Sequence, residues 1–269
     1  PVAHIARNMG LSRQAVQSVA KAVEASASAV YRGRVFDIGK AFLPLQTRLL
    51  SLELREHQRA LSALGVMLRH DKVIYQNGVR PLPDAAFDAF LTRLATDGCA
   101  ISLPSSPDPA SLSPSDDRNP LVIAAGASID VGTSPPLYLV FTLDAGRDFL
   151  RILGQPGPEP SFETYAFDAE GLMLSNSRFP DELRRAGLLP ADARLQTPRR
   201  LRVSDPGADL TATKARESAR ATDLPLTRMA QAATSGQDGR DFYGYRDYRG
   251  VEVIGAWRWV SEYGFGVAA

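Results

Sequence analysis

The sequence predicts an α+β protein, with a long N-terminal helical segment followed by two units, each built on an antiparallel sheet. Three observations predict it. At the front, Val16, Val19, Val23 and Val30 fall on one helical face, and Phe42, Leu45, Leu49 and Leu52 repeat the same steps. Short β-branched runs bounded by turn residues then come in two groups, separated by the linker Gly154–Pro160. The stretch Asp241–Ala269 holds both tryptophans and four of the eight tyrosines, and its side chains alternate as in paired strands. The expected boundaries are 1–64 for the helical segment, 65–156 for the first unit and 157–269 for the second.

Residues from about Leu11 to Leu68 read as helix-rich. Gly33, Gly39 and Pro44 interrupt the stripes, so one bent helix and two helices in series are both open readings. A short strand at Lys72–Tyr75 is closed by the turn pair Asn77-Gly78. Pro83–Thr96 is a helix with Phe87, Phe90, Leu91 and Leu94 on one side. Pro104–Pro120 (PSSPDPASLSPSDDRNP) is a surface loop. Leu121–Ile129 and Leu137–Leu143 form a hairpin across Gly132-Thr133-Ser134-Pro135, and Ala145–Leu153 is a helix.

The second unit repeats this outline. Thr164–Phe167 and Leu172–Ser175 form a hairpin around Asp168-Ala169-Glu170-Gly171. Asp181–Leu188 and Leu224–Ala233 are helical, and Pro190–Asp223 between them is polar and irregular. Three closing strands turn at Arg249-Gly250 and near Glu262–Gly264. Along Val251–Val260, Val251, Val253, Trp257 and Trp259 share one face, with Glu252, Ile254 and Arg258 on the other.

The composition excludes several classes of function. A formal net charge of +1 gives no electrostatic footprint for nucleic acid. Arginines gather at Arg194–Arg202, a segment that reads as a solvated loop or as an anion or partner site. Cys99 is the only cysteine, so no intrachain disulfide forms, and it reads as a buried structural thiol. No run approaches the roughly 18 apolar residues that a membrane span needs. The first residue is proline and the last strand stops in small apolar residues, so a piece cut from a longer membrane protein is expected.

Enzymatic chemistry has no support. His4, His57 and His70 are the only histidines, and no metal-binding spacing occurs. Gly33–Lys40 imitates a phosphate loop but has five residues between its glycines, and Ala41 stands where a hydroxyl should bind magnesium. Gly264-x-Gly266-x-x-Ala269 imitates a dinucleotide fingerprint without a following helix in this sequence. Neither a cofactor nor a metal is expected.

Two motifs carry a resemblance. FETYAFDAEGLMLSNSRF (Phe162–Phe179) is similar to the entry hairpin of a Cache unit, with a tyrosine strand, an Asp-x-x-Gly turn and a small-residue strand. DYRGVEVIGAWRWVSEYGFGVAA (Asp247–Ala269) is similar to its exit strands. The chain from about Leu11 to Ala269 thus resembles the double Cache sensor domains, whose two units are PAS-like. The resemblance implies an extracytoplasmic, periplasmic input domain of a bacterial transmembrane receptor. It also implies a small-molecule ligand and an output module such as a kinase, a nucleotide cyclase or a chemoreceptor module. An amino-acid-sensing subset carries an Arg-x-Trp-Tyr type motif. Here Arg118-Asn119-Pro120 has no Trp-Tyr after it, and Asp144 alone matches in position.

For a sensor, the candidate ligand-binding residues are Arg118, Asp130, Tyr138 and Asp144 in the first unit. In the second they are Tyr165, Arg178 and Tyr245, beside Ser175 and Trp257. Arg118 suits a small carboxylate and Asp144 an amine. The plainer readings are turn-flanking roles for Arg118 and Asp130, a helix cap for Asp144, and core packing for Tyr138 and Trp257. The valine stripe Val16–Val30 reads either as a homodimer seam or as packing against its own domain. A structural or dimerisation module with a vestigial pocket, binding a partner protein, is the competing function.

Overall fold

The structure is a computed structural model, and it describes residues 2–30, 63–70, 73–78, 82–106, 121–130, 136–155, 159–191, 197–212 and 224–269. The chain divides into two compact units. One holds His4–Phe149, and the other holds Leu150–Ala269 together with the first residues of the chain.

Helix α1 covers Val2–Val30. Ile5, Met9, Val16 and Ala20 are buried along it, at steps of four, seven and four. Val16 is therefore packed within its own chain. The second predicted stripe, Phe42 to Leu52, and the breaks at Gly33, Gly39 and Pro44 lie outside the described residues.

The first unit holds a five-stranded sheet in the order β2-β1-β5-β4-β3. Its strands are β1 (Ala63–His70), β2 (Val73–Gly78), β3 (Cys99–Ile101), β4 (Val122–Ile129) and β5 (Leu137–Asp144). Two expectations are corrected here. Ala63–Leu68 belongs to a strand, not to the helical region, because a short apolar run fits a buried strand as well as a buried helix. Asn77-Gly78 does not close the strand as a turn pair. Both residues lie in β2 and pair with Val66 and Gly65, and the chain reverses between His70 and Val73. The β4–β5 hairpin is as expected, with Ile129 opposite Leu137.

Helix α2 (Asp84–Asp97) buries Phe87, Phe90, Leu91 and Leu94, the four residues its spacing put on one side. It packs on Ala100, Ala124 and Val140 of the sheet, with Met67 and Leu82. Gly126 makes this approach possible, since a Cβ there would lie 2.8 Å from Leu94 Cδ1 and 3.1 Å from Phe90 Cε1. On β3, Cys99 is buried with its Sγ 4.0 Å from the Arg13 carbonyl oxygen of α1, and burial pushes its thiol up. Gly146–Leu150 forms a π turn, continued by the short helix α3 (Arg151–Leu153).

The second unit holds a four-stranded antiparallel sheet, β6-β9-β8-β7. Its strands are β6 (Tyr165–Asp168), β7 (Gly239–Arg246), β8 (Glu252–Val260) and β9 (Phe265–Ala268). Leu172–Ser175 pairs back on β6 as the expected hairpin, through the Phe167–Met173 bridge and the Leu174 N–H to Ala166 carbonyl bond, but as isolated bridges, to Phe167 and Arg202, and not as a continuous fifth strand. Asp168 closes the turn between them. Its Oδ1 accepts from the Glu170 and Leu172 N–H groups at 3.1 and 2.8 Å. Helix α4 (Pro180–Arg185) is shorter than expected, and α5 (Arg228–Thr234) is capped by Thr227 Oγ1, which accepts from Ala230 N.

The inner face of this sheet packs into one core with Met173, Leu183, Leu201, Val203 and Met229. Val253, Trp257 and Trp259 point into that core, while Ile254 and Arg258 point outward, as the alternation predicts. Among the arginines of the 194–202 segment, Arg199 pairs with Asp168, and Arg202 donates to the Glu170 and Leu224 carbonyls. These two serve the fold internally.

Candidate ligand-binding faces of the two units

In the first unit the candidate site is the face of the sheet that meets α2. The β4–β5 ladder pairs Val122 with Asp144, Ala124 with Thr142, Gly126 with Val140 and Ser128 with Tyr138. Opposed residues share a face and the side-chain period is two, so Tyr138, Val140, Thr142 and Asp144 all line this face.

The register separates the predicted residues into two ends. Tyr138 and Asp144 lie six residues apart, about 20 Å along the strand. Asp130 follows β4 at the Tyr138 end. That end is covered by α2, where Arg69, opposite Tyr138, lies 3.8 Å from Asp88. The other end holds half-buried Asp144, buried Thr142 and buried Ser102. Ser102 Oγ accepts from the Ala124 N–H at 2.8 Å and donates to the Leu103 carbonyl. Asp144 Oδ1 accepts from the Gly146 N–H at 2.8 Å, so the residue holds the turn that leaves the sheet. One small ligand therefore meets Asp144 or Tyr138, not both. Arg118 lies outside the described residues.

In the second unit, Tyr165 and Tyr245 sit on strands that are not neighbours, because β6 and β7 are the two edges of the sheet. Both rings nevertheless belong to the same buried core. Tyr245 meets Trp257 edge-on at 6.1 Å, and burial pushes its phenol up to about 12. Tyr165 is buried, and burial holds its phenol well above the ordinary value. Ser175 Oγ is used by the Ala166 N–H at 3.0 Å.

Sequence reasoning missed the polar centre beside these tyrosines. Tyr248, on the β7–β8 turn, packs edge-on against Tyr165 at 5.5 Å. Its hydroxyl donates to Glu163 Oε2 at 2.7 Å and lies 2.8 Å from Ser177 Oγ. Glu163 Oε1 accepts from the Arg178 N–H at 2.7 Å, and the Arg178 guanidinium donates to the Phe162 carbonyl. Arg178 thus braces the segment that leads into β6 from the surface. Burial raises the Glu163 carboxyl above its ordinary value, against the pull of those two donors. The signal lay within the two quoted motifs, where Glu163 precedes the tyrosine strand and Tyr248 precedes the Arg-Gly turn.

Next to this centre, the buried Arg249 guanidinium donates through Nε and Nη2 to Asp247 Oδ2, at 2.9 and 2.8 Å. Its Nη1 donates to Glu182 Oε2 at 2.9 Å, and it lies over the Phe179 ring at 3.7 Å. Among the described residues no group of three or more His, Cys, Asp or Glu side chains could hold a metal ion.

No family model and no curated protein matches this chain. Solved structures do. The periplasmic sensory domain of the Campylobacter jejuni chemoreceptor Tlp1 is similar over 98% of this chain and 90% of that one, at 11% identity and a TM-score of 0.51. The extracellular domain of vpHK1S-Z8, a protein assigned as a histidine kinase, is similar over 99% and 90%, at 12% identity and the same TM-score.

The chain has the double Cache fold.

Within that fold the two sheets described above are its PAS-like units, and α1 is its N-terminal helix. No helix among the described residues is long and apolar enough to cross a membrane.

Proposed function

We propose that this chain is the extracytoplasmic small-molecule sensing domain of a transmembrane signal-transduction receptor. It would pass ligand-induced motion to a cytoplasmic output module. The observation that carries this reading is the double Cache fold, shared along nearly the whole chain with sensory domains. No catalysis belongs to it.

The first unit is the better place for the ligand. Its α2 face ends in Asp144 beside Thr142, a carboxylate at the rim of an apolar sheet that suits the ammonium of an amine or amino acid. Ligand binding transmits a signal only through unequal affinity for two conformations. A homodimer through α1 is compatible with the reading, but Val16 is already used within its own chain.

A thermal-shift screen of the whole chain with amines, amino acids and small carboxylates tests the proposal. Saturable stabilisation that Asp144→Asn weakens supports it.

One observation favours the competing reading, a structural or dimerisation module. In the second unit Tyr165, Ser175 and Tyr245 are all taken up by the protein itself. If no compound stabilises the chain, that module is the better description.

A further inference from the structure

The outer face of the second sheet is unevenly covered. At β6 and β9, Ala166, Asp168, Phe265 and Val267 are buried. At β7 and β8 the same face is bare, with Phe242 68% exposed and Ile254 66%, and Tyr243, in the irregular stretch of β7, is 98% exposed. Large apolar side chains grouped on an exposed sheet edge mark an interaction surface.

The charges around this patch are arranged as a self-complementary set. On β8 the outward residues run Glu252, Ile254, Ala256, Arg258. On β7, Arg246 pairs in register with Glu252, and Arg240 with Ala256. Arg246 is already met by Asp205, donating to its two carboxylate oxygens at 2.9 and 3.1 Å. Asp238 lies just before β7 and meets Arg258 at 3.4 Å. One end of the patch therefore carries Asp238 and Arg258, and the other carries Arg246 and Glu252. Each strand is negative at one end and positive at the other, and the two strands run in opposite senses. Between the ends lie Ile254, Ala256 and the Arg240 guanidinium over the Phe242 ring at 5.5 Å.

We propose that a second copy of this chain docks on the β7–β8 face, related by a two-fold axis in the interface plane and perpendicular to the strands. Such an axis reverses the strand direction. It sets Glu252 against Arg258 of the other copy, while Arg246 stays paired with Asp205 of its own chain. It also sets Arg240 against the other copy's Phe242, a second cation–π contact. The other in-plane axis sets Arg240 on Ala256 and loses that contact. In a two-fold contact residue i meets j and j meets i, so each pair occurs twice. Charged residues at the corners and apolar residues at the centre are the layout of an interface core and rim. The contact deepens the proposed function by giving the second unit a partner, and it holds or fails independently of any ligand.

Sedimentation velocity of the whole chain over two decades of concentration tests this, with thermal unfolding as a check on each variant. The wild-type chain is expected to shift from one to two copies as concentration rises. Glu252→Arg and Arg258→Glu each disturb two symmetric contacts, and each should weaken the dimer roughly tenfold. The double exchange restores opposite charges across the axis and should return the affinity to near wild type. Ile254→Asp should abolish the dimer without unfolding the chain. A chain that stays monomeric overturns the proposal, and so does a double exchange no better than either single change. Monomers that instead bind anionic vesicles through Phe242 and Tyr243 would make the face a lipid surface and also overturn it.

Discussion

The Tyr248 hydroxyl donates to Glu163 Oε2 at 2.7 Å, joining the β7–β8 turn to the residue that leads into β6. These residues are 85 positions apart, yet they meet because the Tyr248 ring of the turn packs edge-on against Tyr165, two residues after Glu163. Removing the donor leaves a desolvated carboxylate with one partner fewer. Tyr248→Phe should destabilise the second unit by about 1 to 3 kcal/mol, read by urea unfolding.

The Glu163 carboxyl also predicts a pH dependence. Burial raises its folded value above the ordinary 4.5. An acid that holds its proton more tightly when folded favours the folded state below its ordinary value. That contribution is lost as pH rises through the raised folded value. Asp168 and Asp247 are raised by burial in the same direction, and they remain in a Glu163 variant. Thermal midpoints from about pH 4 to about pH 8 should therefore fall more steeply in the wild type than in Glu163→Gln. Parallel curves would show that Glu163 is not the group responsible.

Arg249 should be intolerant of conservative exchange. Its planar fork reaches two carboxylates while its flat face lies on Phe179. Arg249→Ala strands Asp247 and Glu182 and should cost about 3 to 5 kcal/mol. Lysine keeps the charge but has neither the fork nor the flat face. Arg249→Lys should recover less than half of that loss in the same unfolding measurement.

Gly126 sets how closely α2 approaches the first sheet. Gly126→Val would drive a side chain into Leu94 and Phe90 and should cost about 1 to 3 kcal/mol through overpacking. Gly250→Ala tests a different constraint. Its φ is 79° and a Cβ there would meet the Ala208 carbonyl, so the β7–β8 turn should loosen and the Tyr248–Glu163 contact with it. Native-state hydrogen exchange at the amides around Tyr248 reads that loosening.

Much of the fold was legible because its signals are local. The spacing of Phe87, Phe90, Leu91 and Leu94 places α2 on the sheet, and the alternation around Trp257 and Trp259 gives the buried face of β8. The misreadings arose where local signals are degenerate. Ala63–Leu68 is a short apolar run without a period, and Asn77-Gly78 is turn-like in composition but held in β2 by its pairing with β1. The candidate site was less legible because it depends on register. Tyr138 and Asp144 are close in sequence and on one face, yet at opposite ends of it. The Glu163–Tyr248–Ser177 centre comes from three separate segments, and no spacing announces such a meeting.

Asp144 separates the two readings of the chain. Its Oδ1 accepts from the Gly146 N–H, a bond that Asn keeps and Ala loses. Asp144→Asn should leave stability within about 0.5 kcal/mol of wild type, whereas Asp144→Ala should cost about 1 kcal/mol.

The central claim is that the first unit binds a small molecule at the Asp144 end of its α2 face. The most direct measurement is a calorimetric titration of wild-type, Asp144→Asn and Tyr138→Phe chains with the compound that stabilises the wild type most among the amines, amino acids and small carboxylates. At a hundredfold excess over Kd, such a ligand should raise the melting temperature by about 5 to 10 °C. The account predicts saturable binding to wild type and Tyr138→Phe, with affinity lost in Asp144→Asn while the fold is kept. Equal affinity in all three chains, or no heat of binding from any compound, would contradict it.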